Sequence, residues 1–327
     1  MRHTQAVVIA KPGQVELQDV ALRPCGPTEV VVQTAYTSIS AGTERMLLAG
    51  QMPHPMLTLP VIPGYETVGR IVEVGPDVSP EWTDRWVYVG GAQCYEGINA
   101  AWGGQSTLIS TDVQRVVPLD GVRPQQGVLL ALAATALHGV DLLDPKPGER
   151  LLVLGQGPVG QLAARLARGR QAWVAVADRN PNRLAHAVGD RIVHVETESL
   201  TTAVEEPVTA IVEATGSMAA LAEALPLLTS GGTILLLGYY QTLQLPYMPL
   251  FLKEVRLLTA REWAPGDLLR CRDLIASGAL DVSAMLTHSM PISEVVTAYD
   301  LALNDADCLK VVLDWTNGSV NARKEAI

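Results

Sequence analysis

The sequence predicts an α/β fold in two parts, a β-rich domain and a doubly wound parallel sheet, and three observations predict it. From Ala6 to about Pro118, short runs rich in Val, Ile and Tyr are broken by Gly and Pro. Turns recur at roughly ten-residue spacing, the pattern of a sandwich or small barrel. Next, "RPQQGVLLALAATALHGVDLL" (Arg123–Leu143) carries apolar residues all round, which predicts a buried helix. Beyond "DPKPGE", apolar strands then alternate strictly with amphipathic helices as far as "GTILLLGYY" (Gly232–Tyr240). Such alternation predicts a parallel sheet with helices on both faces.

Taken in chain order, "AVVIA", "EVVVQTAY", "TVGRIVEVG", "RWVYVGG" and "QRVVPL" supply strands of the first part. Between them lie two glycine-broken corners, "SISAGTER" (Ser38–Arg45) and "VIPGYETVGR" (Val61–Arg70), studded with hydroxyls and carboxylates. Loops beside a rigid scaffold are where reactive groups are usually exposed. Neither corner contains Cys or His.

The second part opens with "LLVLGQGPVGQLAARLA": an apolar strand (Leu151–Leu154), then Gly155-Gln156-Gly157-Pro158-Val159-Gly160, then a helix. Strand, turn and helix together mark a Rossmann dinucleotide site. Gly155 permits the tight turn, Gly157 lets a pyrophosphate approach the backbone, and Gly160 lets helix pack on strand. The next strand, "AWVAVAD", ends in Asp178, 178 − 155 = 23 residues past the first glycine. An acid there accepts from a ribose diol and repels a 2′-phosphate, which favours NAD over NADP. The adjacent Arg179 softens that preference. Ligands in such sheets sit beyond the carboxyl ends of the strands, so Thr215 and Gly216 of "IVEATGS" and Gly238 and Tyr239 of "LLLGYY" are expected to border the cofactor. Two helices, near Asp267–Ser277 and Ser293–Asn304, and the strand "CLKVVLDW" (Cys308–Trp315) complete the chain.

Composition removes several classes of function. The fractions of 48% hydrophobic and 18% charged residues are those of a globular protein. With Phe251 the only Phe, the core must be built from Val, Leu, Ala and Ile. A formal charge of −10 opposes a nucleic-acid surface, which needs clustered Lys and Arg. Cys25, Cys94, Cys271 and Cys308 are scattered, without metal-ligand or redox spacing, and are expected to be structural thiols. No apolar run is long enough to span a bilayer, and the start is too short for a signal peptide, so a cytoplasmic location is expected.

The order β-rich half, buried helix, "KPGERLLVLGQGPVG", "VEATGS" and "LLTSGGTILLLG", with a C-terminal segment returning to the first half, resembles the medium-chain dehydrogenase/reductase superfamily over essentially the whole chain. The resemblance implies a GroES-like catalytic domain (1–120 and 262–327) and an NAD-binding Rossmann domain (121–261). It also implies a homodimer through the nucleotide domain. Many members carry a catalytic zinc, held at positions that here read Ser40, Tyr65 and Ala131. Zinc requires Cys, His or carboxylate ligands, and these are not such residues, so no metal is expected. His138, on a helix that reads as core, is expected to be packed there. By the same resemblance Thr43 falls where relatives place a relay hydroxyl, Thr135 borders the nicotinamide, and Lys310 meets the pyrophosphate. Ser40 and Tyr65 are further candidates to contact the substrate oxygen. Glu66 either orients them, takes the proton, or forms an ion pair behind the site.

Within the superfamily, "SISAGTE", "PGYE", "LLALAATALHG", "LLLGYY" and above all "LIASGALDVSAMLTH" and "DADCLKVVLDW" are similar to the bacteriochlorophyllide a dehydrogenases. This implies NAD-dependent oxidation of a 1-hydroxyethyl group to acetyl on a large, flat, apolar tetrapyrrole, a step of bacteriochlorophyll biosynthesis. The Met- and Pro-rich segment Leu48–Pro60 suits an adaptable apolar wall. Tyr95, Trp102 and "YYQTLQLPYMPLF" offer flat surfaces, Arg45 a carboxylate partner, and His54 a ligand for the central magnesium. Two alternatives stay open: a zinc-free relative acting on a polyol or amino sugar derivative, and a non-enzymatic nucleotide-binding redox sensor.

Overall fold

The computed structural model describes residues 2–52 and 58–316. The chain divides into two compact units, Met1–Ala131 with Leu286–Ile327, and Leu132–Met285.

The first unit is built on two sheets. The strand Arg2–Lys11 pairs antiparallel with Gln14–Leu22, and its Ile9 faces Val61 of the short strand Val61–Ile62. In the larger sheet, Glu29–Ser38 is flanked by Thr67–Val74, Leu108–Asp112 and the C-terminal strand Val311–Asp314, each antiparallel to it. Every predicted run contains strand residues. Gln14–Leu22 and Leu108–Asp112 were not among those runs, because their polar residues interrupt the apolar signal. One core cluster joins Ile9, Ile39 and Leu47 to Tyr299, Val311 and Leu313, so the end of the chain completes the core begun at its start.

The expected single helix over Arg123–Leu143 is two helices, Pro124–Gly127 and Leu130–Leu143. Gly127 lies where a Cβ would fall 2.9 Å from both Leu119 and Val68, so the backbone passes close to the sheet there.

The second unit is a six-stranded parallel sheet. Across it run Arg191–His194, Trp173–Asp178, Arg150–Leu154, Val208–Glu213, Leu228–Leu236 and Arg256–Thr259. In chain order this is 3-2-1-4-5-6, the doubly wound nucleotide-binding arrangement. Central strands such as Leu151–Leu154 are buried on both faces, as crossover helices require. The sixth strand, Arg256–Thr259, lies beyond the expected alternation; four largely exposed residues give no apolar run to read. Among the described residues no helix is long and apolar enough to cross a membrane.

Candidate functional site

The two polar corners converge within the first unit. Strand Glu29–Ser38 ends beside them, Ser40 is the N-cap of the helix Ala41–Leu48, and Thr43 therefore sits on a helical first turn rather than in a loop. The opposite corner turns at Gly64, whose φ of +99° favours glycine and whose Cβ would stand 2.6 Å from Gln105. This brings Tyr65 Oη to 2.5 Å from Ser40 Oγ and 3.2 Å from Thr43 Oγ1. Tyr88 donates to the Tyr65 carbonyl at 2.7 Å and fixes the corner from behind. Three hydroxyls carry three hydrogens, and the two contacts among them use two. One hydrogen is left to donate outward. Burial, reinforced by the charge of Glu66, pushes the Tyr65 phenol up, so it is a donor and not a phenolate.

Behind the hydroxyls lie two buried carboxyl groups. Glu66 Oε2 accepts from Lys310 Nζ at 2.6 Å and from Ser38 Oγ, while Oε1 is buried without a hydrogen-bond partner. Lys310 also donates to the Ile39 carbonyl at 3.2 Å, and its side chain is 2% exposed. Contact with a pyrophosphate would require it to leave that pairing. No hydrogen bond joins Glu66 to Ser40, Thr43 or Tyr65; of the three readings of Glu66, the ion pair is the arrangement present.

Sequence reasoning missed the second carboxyl group. Glu44 is wholly buried; its Oε1 accepts from the Ser40 backbone N–H at 3.2 Å, and its Oε2 lies 2.5 Å from Tyr299 Oη. Gln105 Nε2 approaches both Glu44 oxygens, at 3.2 and 3.1 Å. The single hydrogen of Tyr299 has two acceptors in reach, Glu44 and the Gln105 oxygen at 2.9 Å. A protonated Glu44 resolves this: it donates to Tyr299, which donates to Gln105. In agreement, burial pushes the Glu44 carboxyl up to about 7. Residues 44, 105 and 299 are too far apart in sequence for any local pattern to link them.

Other candidates lie elsewhere. Arg45 donates to the Leu303 carbonyl, and Tyr95 Oη donates to the Gly103 carbonyl at 2.6 Å. His54, with 53–57 of the apolar segment, lies outside the described residues. His138 is part of the second unit, with Nδ1 3.9 Å from Asp267 Oδ2. Among the described residues no group of three or more His, Cys, Asp and Glu could hold a metal ion. Neutral hydroxyls at Ser40 and Tyr65 and a methyl at Ala131 do not fit zinc, which takes thiolate, imidazole or carboxylate.

The second unit carries a cradle for a dinucleotide. Gly155 has φ +88°, and a Cβ on Gly160 would stand 1.9 Å from the Gly155 carbonyl oxygen. Gly157, by contrast, would meet nothing within 4 Å, and it caps the twelve-residue helix Pro158–Gly169 with no side-chain hydrogen bond. Bare N–H groups at an open helix start suit a pyrophosphate. Pro158 and Val159 open the helix, and Pro removes an N–H that would otherwise be unpaired. Asp178 accepts from the Gln156 N–H at 2.6 Å and from the Asn180 N–H at 2.8 Å, which leaves lone pairs for a ribose. Arg179 is exposed beside it. Buried Gln161, unnoticed in the sequence, donates to the Gln156 carbonyl at 3.2 Å and stiffens the loop.

Glu213 ends the fourth strand of that sheet and binds the Thr215 N–H at 2.8 Å, the Gly216 N–H at 3.1 Å and the Thr215 hydroxyl. A Cβ on Gly238 would stand 2.6 Å from the Gly216 nitrogen and 2.7 Å from Glu213. Gly238 is thus required by the packing of this loop and Gly216 is favoured by its φ of +75°, whatever else they border. Tyr239 is exposed, and Thr135 lies half-buried on the helix Leu130–Leu143. These residues fit a nicotinamide dinucleotide.

Two family models match the chain: an alcohol dehydrogenase GroES-like domain over residues 26–121 and a zinc-binding dehydrogenase over residues 158–276. The chain is 36% identical, over 318 residues, to the 2-desacetyl-2-hydroxyethyl bacteriochlorophyllide A dehydrogenase of Rhodobacter capsulatus, covering 95% of this chain and 98% of that protein. Among solved structures it resembles a Sinorhizobium meliloti protein described as a zinc-binding dehydrogenase and bound to NADP. That match has a TM-score of 0.83 and 24% identity and covers 96% of this chain and 100% of the other. It also resembles an Escherichia coli alcohol dehydrogenase complexed with NADH, with a TM-score of 0.82 and 22% identity, covering 96% and 99%.

Proposed function

Because the chain belongs to the medium-chain dehydrogenase/reductase family, a family of alcohol oxidoreductases that use a nicotinamide cofactor, we propose that it oxidises the 3-(1-hydroxyethyl) group of a bacteriochlorophyllide to acetyl, with NAD and without a metal. The observation that carries the substrate is the 36% identity over 95% of the chain to the Rhodobacter capsulatus enzyme. Asp178 supports NAD over NADP, since a 2′-phosphate would meet its carboxylate.

In the reaction a C–H bond and an O–H bond of the carbinol break and a C=O bond forms. NAD, when bound, supplies the hydride acceptor. The chain's own task is to hold the substrate oxygen while its proton is released to water, which balances the reaction as carbinol and NAD going to ketone, NADH and a proton. The outward hydrogen of the Ser40–Tyr65–Thr43 cluster donates to that oxygen, and a preorganised donor at a developing alkoxide replaces a Lewis acid. Glu66, Lys310 and Ser38 form a buried hydrogen-bonded group behind the cluster, and Lys310 also holds the Ile39 carbonyl next to Ser40.

The test is turnover of hydroxyethyl bacteriochlorophyllide with NAD by chelator-treated protein, followed as NADH formation. Turnover is expected, and its absence would refute the substrate; loss on chelation alone would refute the metal-free mechanism. Thr43→Val should lower kcat by about 10²-fold, the scale of removing one alkoxide donor. A near-normal rate would take Thr43 out of the site.

A further inference from the structure

Trp102 stands out in the first unit because its backbone and its side chain pull in opposite directions. Its φ is +70°, in the left-handed region where a bulky residue is an outlier. The neighbouring backbone holds it there. The Ala92 N–H donates to the Trp102 carbonyl at 2.7 Å. A Cβ on Gly91, itself at φ +113°, would lie 2.3 Å from that carbonyl oxygen. Gly103 follows at φ +72°, and a Cβ on it would lie 2.3 Å from the Ala92 carbonyl oxygen. Two glycines are therefore committed to seating a residue that would itself be better as glycine.

Trp102 is 38% exposed, so part of the residue stays open to solvent although the backbone is held in place. What it does meet is Tyr65. The ring centroids are 5.3 Å apart with an interplanar angle of 68°, an edge-to-face contact on the residue whose hydroxyl bonds Ser40 and Thr43. Strain retained at an exposed aromatic beside reactive hydroxyls is the signature of a functional constraint.

We infer that Trp102 is a specificity-determining residue that contacts substrate: its exposed face stacks on a flat conjugated ring while the carbinol on that ring meets the Ser40–Tyr65–Thr43 hydroxyls. The identity of the ring as a tetrapyrrole rests on the function proposed above; the stacking itself rests on the geometry of Trp102. Tyr65 buttresses the indole edge-on, which couples ring placement to hydroxyl placement.

Trp102→Gly separates this role from a structural one, because glycine adopts φ +70° without steric cost. The expected result is a melting temperature equal to or above that of the native protein, with KM for hydroxyethyl bacteriochlorophyllide raised roughly tenfold, the upper scale of an aromatic stacking contact. Trp102→Phe, which keeps an aromatic face at the same position, should recover most of the loss. A lowered melting temperature with unchanged KM would make Trp102 structural and overturn the inference. Binding is read separately, as quenching of tryptophan fluorescence on titration with the pigment. A quenching midpoint moved to higher pigment concentration in Trp102→Gly, with no turnover by either protein, refutes the proposed reaction and supports the stacking role. Turnover whose KM ignores the substitution supports the reaction and refutes the stacking role.

Discussion

Glu44 shows how a single residue ties the pH response of the protein to the geometry of its site. In an unfolded chain a glutamate titrates near 4.5, whereas the folded protein holds Glu44 up at about 7. The folded state therefore keeps a proton that the unfolded state releases between those values. The stabilisation is complete below about 4.5, falls as pH rises and is gone above about 7. A shift of this size corresponds to something on the order of 3 kcal/mol. Glu44→Gln, which mimics the neutral acid, should thus gain stability relative to the native protein across that window and level off beyond it. Thermal unfolding of both proteins over the pH series measures this, and a constant difference would show a carboxylate ionised throughout. Ser40, Thr43 and Tyr65 were legible because corner motifs place them. Glu44 was not, since its role comes from Gln105 and Tyr299, which only the folded chain brings to it.

At the level of elements, glycines in one motif answer to different constraints and should respond differently to substitution. Gly160→Ala drives a methyl into the Gly155 carbonyl, so a loss of about 1–3 kcal/mol is expected from overpacking alone. Gly157→Ala meets nothing within 4 Å and sits at φ −68°, so stability should be unchanged while the KM for NAD rises. Calorimetry beside cofactor titration distinguishes the two, and equal destabilisation would contradict this division of labour. The strand–turn–helix unit was readable in full because its signals are local. The break between Pro124–Gly127 and Leu130–Leu143 was not legible; Gly127 there lies against Leu119 and Val68, contacts only the folded chain makes. The edge strand Arg256–Thr259 escaped for a related reason, being too short and too exposed to show a period.

For the whole molecule, the strict strand–helix alternation foretold the parallel sheet, but its sixth strand and the partners of the final strand required the fold. That sixth strand pairs on one side only, and Tyr247, Met248, Phe251 and Leu252 before it are 55–68% exposed. Open sheet edges beside apolar surface favour association, in line with the homodimer expected from family resemblance. We propose that this face forms the expected dimer: light scattering should then read a dimer for the native protein and a monomer for Phe251→Asp, and a native monomer would refute it. The route of the chain has a further consequence, in time rather than in space. Residues 132–285 are contiguous and can fold as soon as they are made. The hydroxyl cluster, however, leans on Tyr299 and Lys310, which join residues 255 and 244 positions earlier. Synthesis proceeds from the N-terminus, so the older half of the chain must wait, unfinished, while the younger half matures within it. A polypeptide halted before Tyr299 would carry the whole parallel sheet yet lack the partners that Glu44 and Glu66 take from the last stretch of chain.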